Sequence, residues 1–196
     1  MKLYLVRHGE SIANSESKHQ GESYDTDLTE VGIQQAKKLA KRLKEFKFDI
    51  IYSSHLKRAK QTAKEINSYH NKEIIINENL KERDNGDFSG KVYTEELWKD
   101  IQGDEFNRKA PNGENRIEQL KRVKIVIDDI LKLNKDILIV SHGGTIKSIL
   151  ANLFPQKNLN DIYEMYRTGN TCLYEIEINK KEAKIILENC MKHLED

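Results

Sequence analysis

The chain has 196 residues, 37% of them hydrophobic, enough to bury one core, and a single domain spanning residues 1–196 is expected. Thirty-three Lys and Arg against 32 Asp and Glu leave a formal charge of +1, so no global field draws the chain to nucleic acid or anionic membrane. No apolar run approaches the roughly 20 residues of a membrane span, and Met1–Val6 is too short for a signal-peptide core. A cytoplasmic protein with no nucleic-acid or membrane partner is therefore expected.

Lys2 to Val6 reads as a first strand, ending at Arg7-His8-Gly9. Thr29 is a candidate N-cap for a helix carrying Ile33, Ala36, Leu39, Ala40 and Leu43 at helical spacing. Asp49 to Tyr52 is a short buried strand, His55 to Tyr69 a helix, and Glu73 to Ile76 a β-branched strand. Residues from about 83 to 116 are polar and irregular, with a short helix near Thr94 to Ile101, and read as an insertion over one end of the sheet. Glu114 to Leu133 is a long amphipathic helix, Asp136 to Val140 a central strand, and Thr145 to Phe154 a helix. Thr171 to Ile178 and Ala183 to Leu187 flank Asn179-Lys180-Lys181-Glu182, a hairpin signal. Strands alternating with helices indicate an α/β fold, a three-layer α/β/α sandwich with a mainly parallel mixed sheet. Cys172 and Cys190 lie roughly opposite each other on the hairpin arms, and two partly buried thiols are expected of them.

The chemistry-bearing residues follow strands. His8-Gly9 and His142-Gly143-Gly144 each come after an apolar run, and strand ends are where an α/β sheet builds its ligand crevice. An imidazole is a competent nucleophile near neutral pH when its other nitrogen is held by a hydrogen bond. Arg7 adds a planar fork matched to phosphate oxygens. Arg58 falls in the first turn of its helix, where free amides already favour an anion. Lys57, Lys60 and Lys64 read as a solvated face, and so does the segment Lys37 to Lys47. His19, His55, His70 and His193 read as solvent-facing or locally bonded; Tyr93 and Trp98, in the insertion, are candidates for the substrate entrance, with packing as the default for both.

In order along the chain, several blocks resemble the histidine phosphatase superfamily, the phosphoglycerate mutase-like proteins. They are Arg7-His8-Gly9-Glu10-Ser11, Asn14, Gln20-Gly21, and Leu28-Thr29-Glu30 with Gly32, Gln35 and Ala36. Ser53-Ser54, Leu56, Arg58-Ala59 and Gln61-Thr62-Ala63 continue the series, followed by Leu80 and Glu82, Pro111 with Gly113-Glu114, and Ser141-His142-Gly143-Gly144-Thr145. Asp27 departs from a common proline, Asn115 from a common serine, and Phe88 from a common tryptophan.

The resemblance implies a catalytic set of His8, Glu82, His142, Arg7 and Arg58. Substrate would be bound by Arg7, Asn14, Gln20, Gly21, Arg58, Arg83, His142 and Gly143, with no metal and no cofactor. His8 would form a phosphohistidine, Glu82 would protonate the leaving alkoxide and then deprotonate water, and Asp84 and Asp87 are neighbouring carboxylates that compete for that role. Lys91 is a further cation for the far end of a substrate. The activity implied is that of a metal-independent phosphomonoester hydrolase of the histidine acid phosphatase type, acting on a small phosphorylated metabolite such as a sugar phosphate, phosphoserine, a nucleotide or a cobalamin-precursor phosphate. The alternatives are a cofactor-dependent phosphoglycerate mutase and a non-catalytic phospho-ligand-binding domain; glycine at position 144, where the mutases usually carry Asn, favours the hydrolase. A homodimer is left open as an oligomeric state.

Overall fold

The structure, a computed structural model, describes residues 1–179 and 182–195. Lys180 and Lys181, the centre of the expected hairpin turn, lie outside the described residues. The elements in chain order are β1 (Lys2–Arg7), α1 (Ile12–Ser15), α2 (Glu30–Leu43), β2 (Ile50–Ser53), α3 (Lys57–Asn67), β3 (Ile74–Ile76), α4 (Arg116–Leu133), β4 (Ile137–Ser141), α5 (Gly143–Leu153), α6 (Leu159–Met165), β5 (Leu173–Asn179) and β6 (Glu182–Cys190). Among the described residues no helix is long and apolar enough to cross a membrane.

The strands form one sheet in the order β3-β2-β4-β1-β5-β6. β3, β2, β4 and β1 run parallel, while β5 is antiparallel to β1 and to β6. The alternation of side chains along a strand divides the core in two. Leu3, Leu5, Ile137, Ile139 and Tyr174 pack with α4, α5 and α6 on one face. Tyr4, Val6, Leu138, Val140 and Leu173 pack with α2 and α3 on the other. Both faces of the central strands are therefore buried, which is why those strands read as continuous apolar runs. This is the three-layer α/β arrangement with a mixed sheet that the alternation of elements predicts.

Several boundaries differ for local reasons. α5 begins at Gly143, not Thr145, because extended His142 (φ −128°, ψ 166°) is its N-cap residue. Asn115, in place of the common serine, caps α4 in a reciprocal capping box with Glu118. The helix expected near Thr94 to Ile101 is a single 3₁₀ turn over Glu95–Trp98. α1 and α6 were not anticipated; at four and seven residues they carry too little periodicity to read. β6 runs further than Ala183 to Leu187, because polar residues alternate outward along it. Its register pairs Cys190 with Leu173 rather than Cys172. Both thiols are free, Cys172 fully buried and Cys190 half-buried.

The loop after β1 is fixed by close backbone approach to α2. A Cβ built on Gly32 would lie 1.9 Å from the Glu10 carbonyl oxygen, and one on Gly9 would lie 2.5 Å from the Gly32 oxygen. Thr29 caps this end of α2 by accepting from Gly32 N at 3.0 Å. Gly32→Ala should therefore lower the unfolding free energy by about 2 kcal/mol through overpacking, although alanine favours an isolated helix by about 1 kcal/mol. Urea unfolding checks this; an unchanged or higher midpoint would show that the two backbones are not in contact.

Candidate active site

Parallel pairing of β1 with β4 places Arg7 opposite Ser141, so His8 and His142 leave adjacent strand ends together. Their ring centroids are 5.1 Å apart. His8 Nδ1 stands 2.7 Å from the Gly9 carbonyl oxygen. A carbonyl can only accept, so Nδ1 carries the proton and Nε2 presents a lone pair. The loop carrying His8 is tied on each side. Gly9 N donates to Thr62 Oγ1 at 3.0 Å, and Asn170 Nδ2 donates to the His8 carbonyl at 3.2 Å. Burial, reinforced by Arg58 and Arg7, holds the His8 pKa well below the usual histidine value; the ring is neutral at pH 7.

His142 is fully buried behind His8 and does not reach the pocket wall. Its Nε2 is 2.9 Å from Ser54 Oγ, and its Nδ1 is buried without a hydrogen-bond partner among the described residues. Burial first, then the charges of Arg58, His8 and Arg7, push its pKa well down.

Two guanidinium groups flank the imidazoles. Arg7 Nη1 donates to the Thr168 carbonyl at 2.6 Å. Arg58, the second residue of α3, is 1% exposed. It donates from Nη2 to the Gly21 carbonyl at 2.7 Å and from Nη1 to Asp25 at 3.1 Å. Asp25 also accepts from Lys57 N at 2.9 Å, so one carboxylate orients Arg58 and holds the start of α3. Burial lowers both arginines' pKa values, that of Arg58 to about 10, and both stay charged at neutral pH. The Nε atoms of Arg7 and Arg58 are buried with no partner among the described residues. An unsatisfied buried donor costs about 1–3 kcal/mol, more when charged. Arg7, Arg58 and His8 line one pocket of about 390 Å³, and an acceptor-rich anion there would satisfy those donors.

Glu82 is the carboxylate on the pocket wall. Its Oε2 accepts from Gly144 N at 2.9 Å, and its Oε1 accepts from Arg83 N and Gln119 Nε2, each at 2.9 Å. Gly144 has no room for a side chain, since a Cβ would lie 2.6 Å from Glu82 Oε1. The segment before Glu82 is clamped. Arg122 donates to the Asn79 and Lys81 carbonyls and forks onto Glu114. Ser141 Oγ and Thr145 Oγ1 donate to the Leu80 and Lys81 carbonyls. Asp84 and Asp87 turn elsewhere, accepting from Ser23 and Asn112, and neither lines the pocket.

Asn14, Gln20, Gly21, Arg83 and Gly143 also line the pocket. Asn14 Oδ1 accepts from Ser11, which leaves its amide nitrogen as the donating end. The Gln20 amide is committed to Ser11 and Thr26 and holds the loop. Gly21 (φ 58°) acts through its carbonyl on Arg58. Lys91 is exposed over the Phe88 ring and does not line the pocket. His19 and Tyr93 do line it, their rings 4.8 Å apart, so neither is only a solvent-facing or packing residue. Trp98 is buried against Phe88. Sequence reasoning missed Asp25, Gln119, Thr168 and Asn170. Gln119 alone left a signal, a polar residue on the stripe of α4 that continues through Val123 and Val126.

A nucleophile-competent imidazole, one buried and one half-buried arginine and a carboxylate at the C-terminal ends of the sheet's parallel strands define an α/β protein with a cationic pocket suited to a phosphate-type anion. The chain belongs to the histidine phosphatase superfamily (branch 1), whose family model matches residues 3–191. It is 37% identical over 163 residues to phosphoserine phosphatase 1 of Hydrogenobacter thermophilus, covering 78% of this chain and 76% of that protein. The crystal structure of the alpha-ribazole phosphatase from Shigella flexneri superposes with a TM-score of 0.88 over 97% of both chains at 29% identity. Phosphoserine phosphatase from Entamoeba histolytica, solved in complex with 3-phosphoglyceric acid, superposes with a TM-score of 0.84 over 98% of both chains at 34% identity.

The buried neutral imidazoles set a pH dependence of stability. The folded pKa of His8 lies below its unfolded value of about 6.5. Below that pH the unfolded chain binds the extra proton, so stability is full above about 6.5 and falls as pH drops toward the folded pKa. The slope from His8 approaches about 1.4 kcal/mol per pH unit. Urea unfolding from pH 7.5 to 5 should show a shallower loss for His8→Asn than for the native chain; parallel profiles would mean that His8 is not held neutral.

Proposed function

We propose that this protein is a metal-independent phosphomonoesterase of the histidine acid phosphatase type, hydrolysing a small phosphorylated metabolite through a phosphohistidine at His8. The observation that carries the proposal is the His8 Nδ1–Gly9 hydrogen bond, which directs the Nε2 lone pair to the reaction, beside two arginines whose buried Nε donors lack partners. His8 Nε2 attacks phosphorus in line and the ester P–O bond breaks. Glu82, as the carboxylic acid, gives its proton to the leaving alkoxide. Water then attacks the phosphohistidine, Glu82 takes its proton, the P–N bond breaks, and inorganic phosphate leaves with His8 neutral again.

Arg7 and Arg58 hold the non-bridging oxygens, where positive charge stabilises the transferring group. Asn14 adds an amide donor. A phosphate dianion offsets the like charges that depress His142, so His142 gains proton affinity in the complex and adds positive charge behind His8. The small pocket suits a metabolite-sized ester. Family membership and the phosphatases among the similar proteins support hydrolysis over the mutase reaction.

With p-nitrophenyl phosphate and a chelator present, the native chain should turn over, and His8→Ala should lose at least about a thousandfold in kcat/KM. Glu82→Gln should slow alkyl phosphates by about 100-fold or more, and p-nitrophenyl phosphate less, because its leaving group needs no proton. Equal turnover by His8→Ala and the native chain would reject His8 as the nucleophile. Isomerisation of 3-phosphoglycerate with 2,3-bisphosphoglycerate faster than phosphate release would select the mutase instead.

A further inference from the structure

Beyond the groups facing His8, the same pocket carries a second set of cations. Arg83, Arg116 and Lys147 line it, supplied by the segment after Glu82, the first residue of α4 and the second turn of α5. Tyr163 of α6 is the surface that two of them share. The Arg116 guanidinium lies 4.7 Å from its ring centroid, and Lys147 Nζ lies 5.8 Å from it. Arg83 stacks 5.5 Å from the Trp98 ring centroid, and its side chain makes no hydrogen bond or ion pair among the described residues.

The three charges repel one another. Burial first, then Arg116, lowers the pKa values of Arg83 and Lys147. The available counter-charges are few. Arg116 pairs at 2.6 Å with Glu105, whose side chain is 45% exposed at the rim. Lys147 Nζ donates to the Tyr163 carbonyl, a neutral acceptor. Among the described residues, Glu82 is the only acidic one on the pocket wall, which also carries Arg7, Lys18 and Arg58. Arg7 and Arg58 match the charge of one phosphate dianion, which leaves Arg83 and Lys147 without an ion pair among the described residues. Concave walls of one sign focus the field and select ligands of the opposite sign.

We propose that Arg83, Arg116 and Lys147 form a distal subsite for a second anionic group, so that the substrate is a small phosphomonoester bearing a carboxylate or a second phosphate. This rests on the hydrolase function proposed above and adds the class of substrate. Arg83 and Arg116 present planar forks suited to either oxyanion, and Lys147 adds a point charge on the same wall.

The test is a comparison of kcat/KM within matched substrate pairs. Phosphoserine and phosphoethanolamine differ by one carboxylate; fructose 1,6-bisphosphate and fructose 6-phosphate differ by one phosphate. For at least one pair, the member with the extra anion should be preferred by about tenfold or more, and the preferred pair identifies the anion. Arg83→Gln and Lys147→Gln should each reduce that preference by about fivefold or more. Arg116→Gln also breaks the Glu105 pair, so its preference is read against a thermal melt. Ratios near one for both pairs would overturn the subsite. So would Arg83→Gln and Lys147→Gln variants that slow both members of the preferred pair equally. Absence of any turnover, p-nitrophenyl phosphate included, would reject the hydrolase reading and the subsite with it.

Discussion

The structure is organised around an electrostatic conflict held in place by the fold. One buried and one half-buried arginine and two buried imidazoles sit at the edge of one sheet. Among the described residues, Arg7, Arg58 and His142 each keep a buried nitrogen without a partner. In water such groups would be solvated; here burial depresses both histidines and both arginines, and neighbouring cations add to it at His8, His142 and Arg58. The histidines answer by remaining neutral, whereas the arginines keep their charge. On the proposed function, an incoming phosphate dianion would relieve the repulsion and satisfy the arginine donors in one step. Because the groups are already fixed, little reorganisation remains to oppose charge development during phosphoryl transfer.

Rigid elements hold that arrangement. Strand register sets the spacing of the two histidines, since one parallel pairing places both at equivalent positions. Asp25 couples the direction of Arg58 to the start of α3, so the helix and its cation move as one piece. On the opposite wall Glu82 accepts three hydrogen bonds, from α4, α5 and its own neighbour. Arg122 and Glu114 brace the backbone leading to it. The Pro111-to-Glu114 block thus acts on the site through support rather than contact.

Much of this was legible before the fold was known. The apolar runs before His8 and His142 imply strand ends, and a strand end in an α/β sheet implies a crevice. Arg58 could be placed from the helix that follows β2, and Glu82 from its position in an ordered series of blocks. Gln20 and Gly21, expected to bind substrate, line the pocket but hold the loop and Arg58 rather than offering free donors. Asp25, Thr168 and Asn170 were not legible, because each acts through a partner far away in sequence. The same holds for His19, whereas Tyr93, a candidate for the substrate entrance, lines the pocket beside it. α1 and α6 escaped notice because one or two turns hold no measurable periodicity. The distal cations show the same limit. Arg83 was visible as a candidate, whereas Arg116 and Lys147 look like ordinary helix-surface charges until α4, α5 and α6 converge.

The most direct test of the account is to find where the phosphoryl group goes. Rapid quenching during turnover of a phosphorus-32-labelled monoester, followed by proteolysis and peptide mapping under alkaline conditions, reports the covalent intermediate. The account predicts an acid-labile, alkali-stable label confined to the peptide containing His8, formed and lost at rates matching turnover. Productive turnover with no label at His8, or with label on another residue, would contradict it.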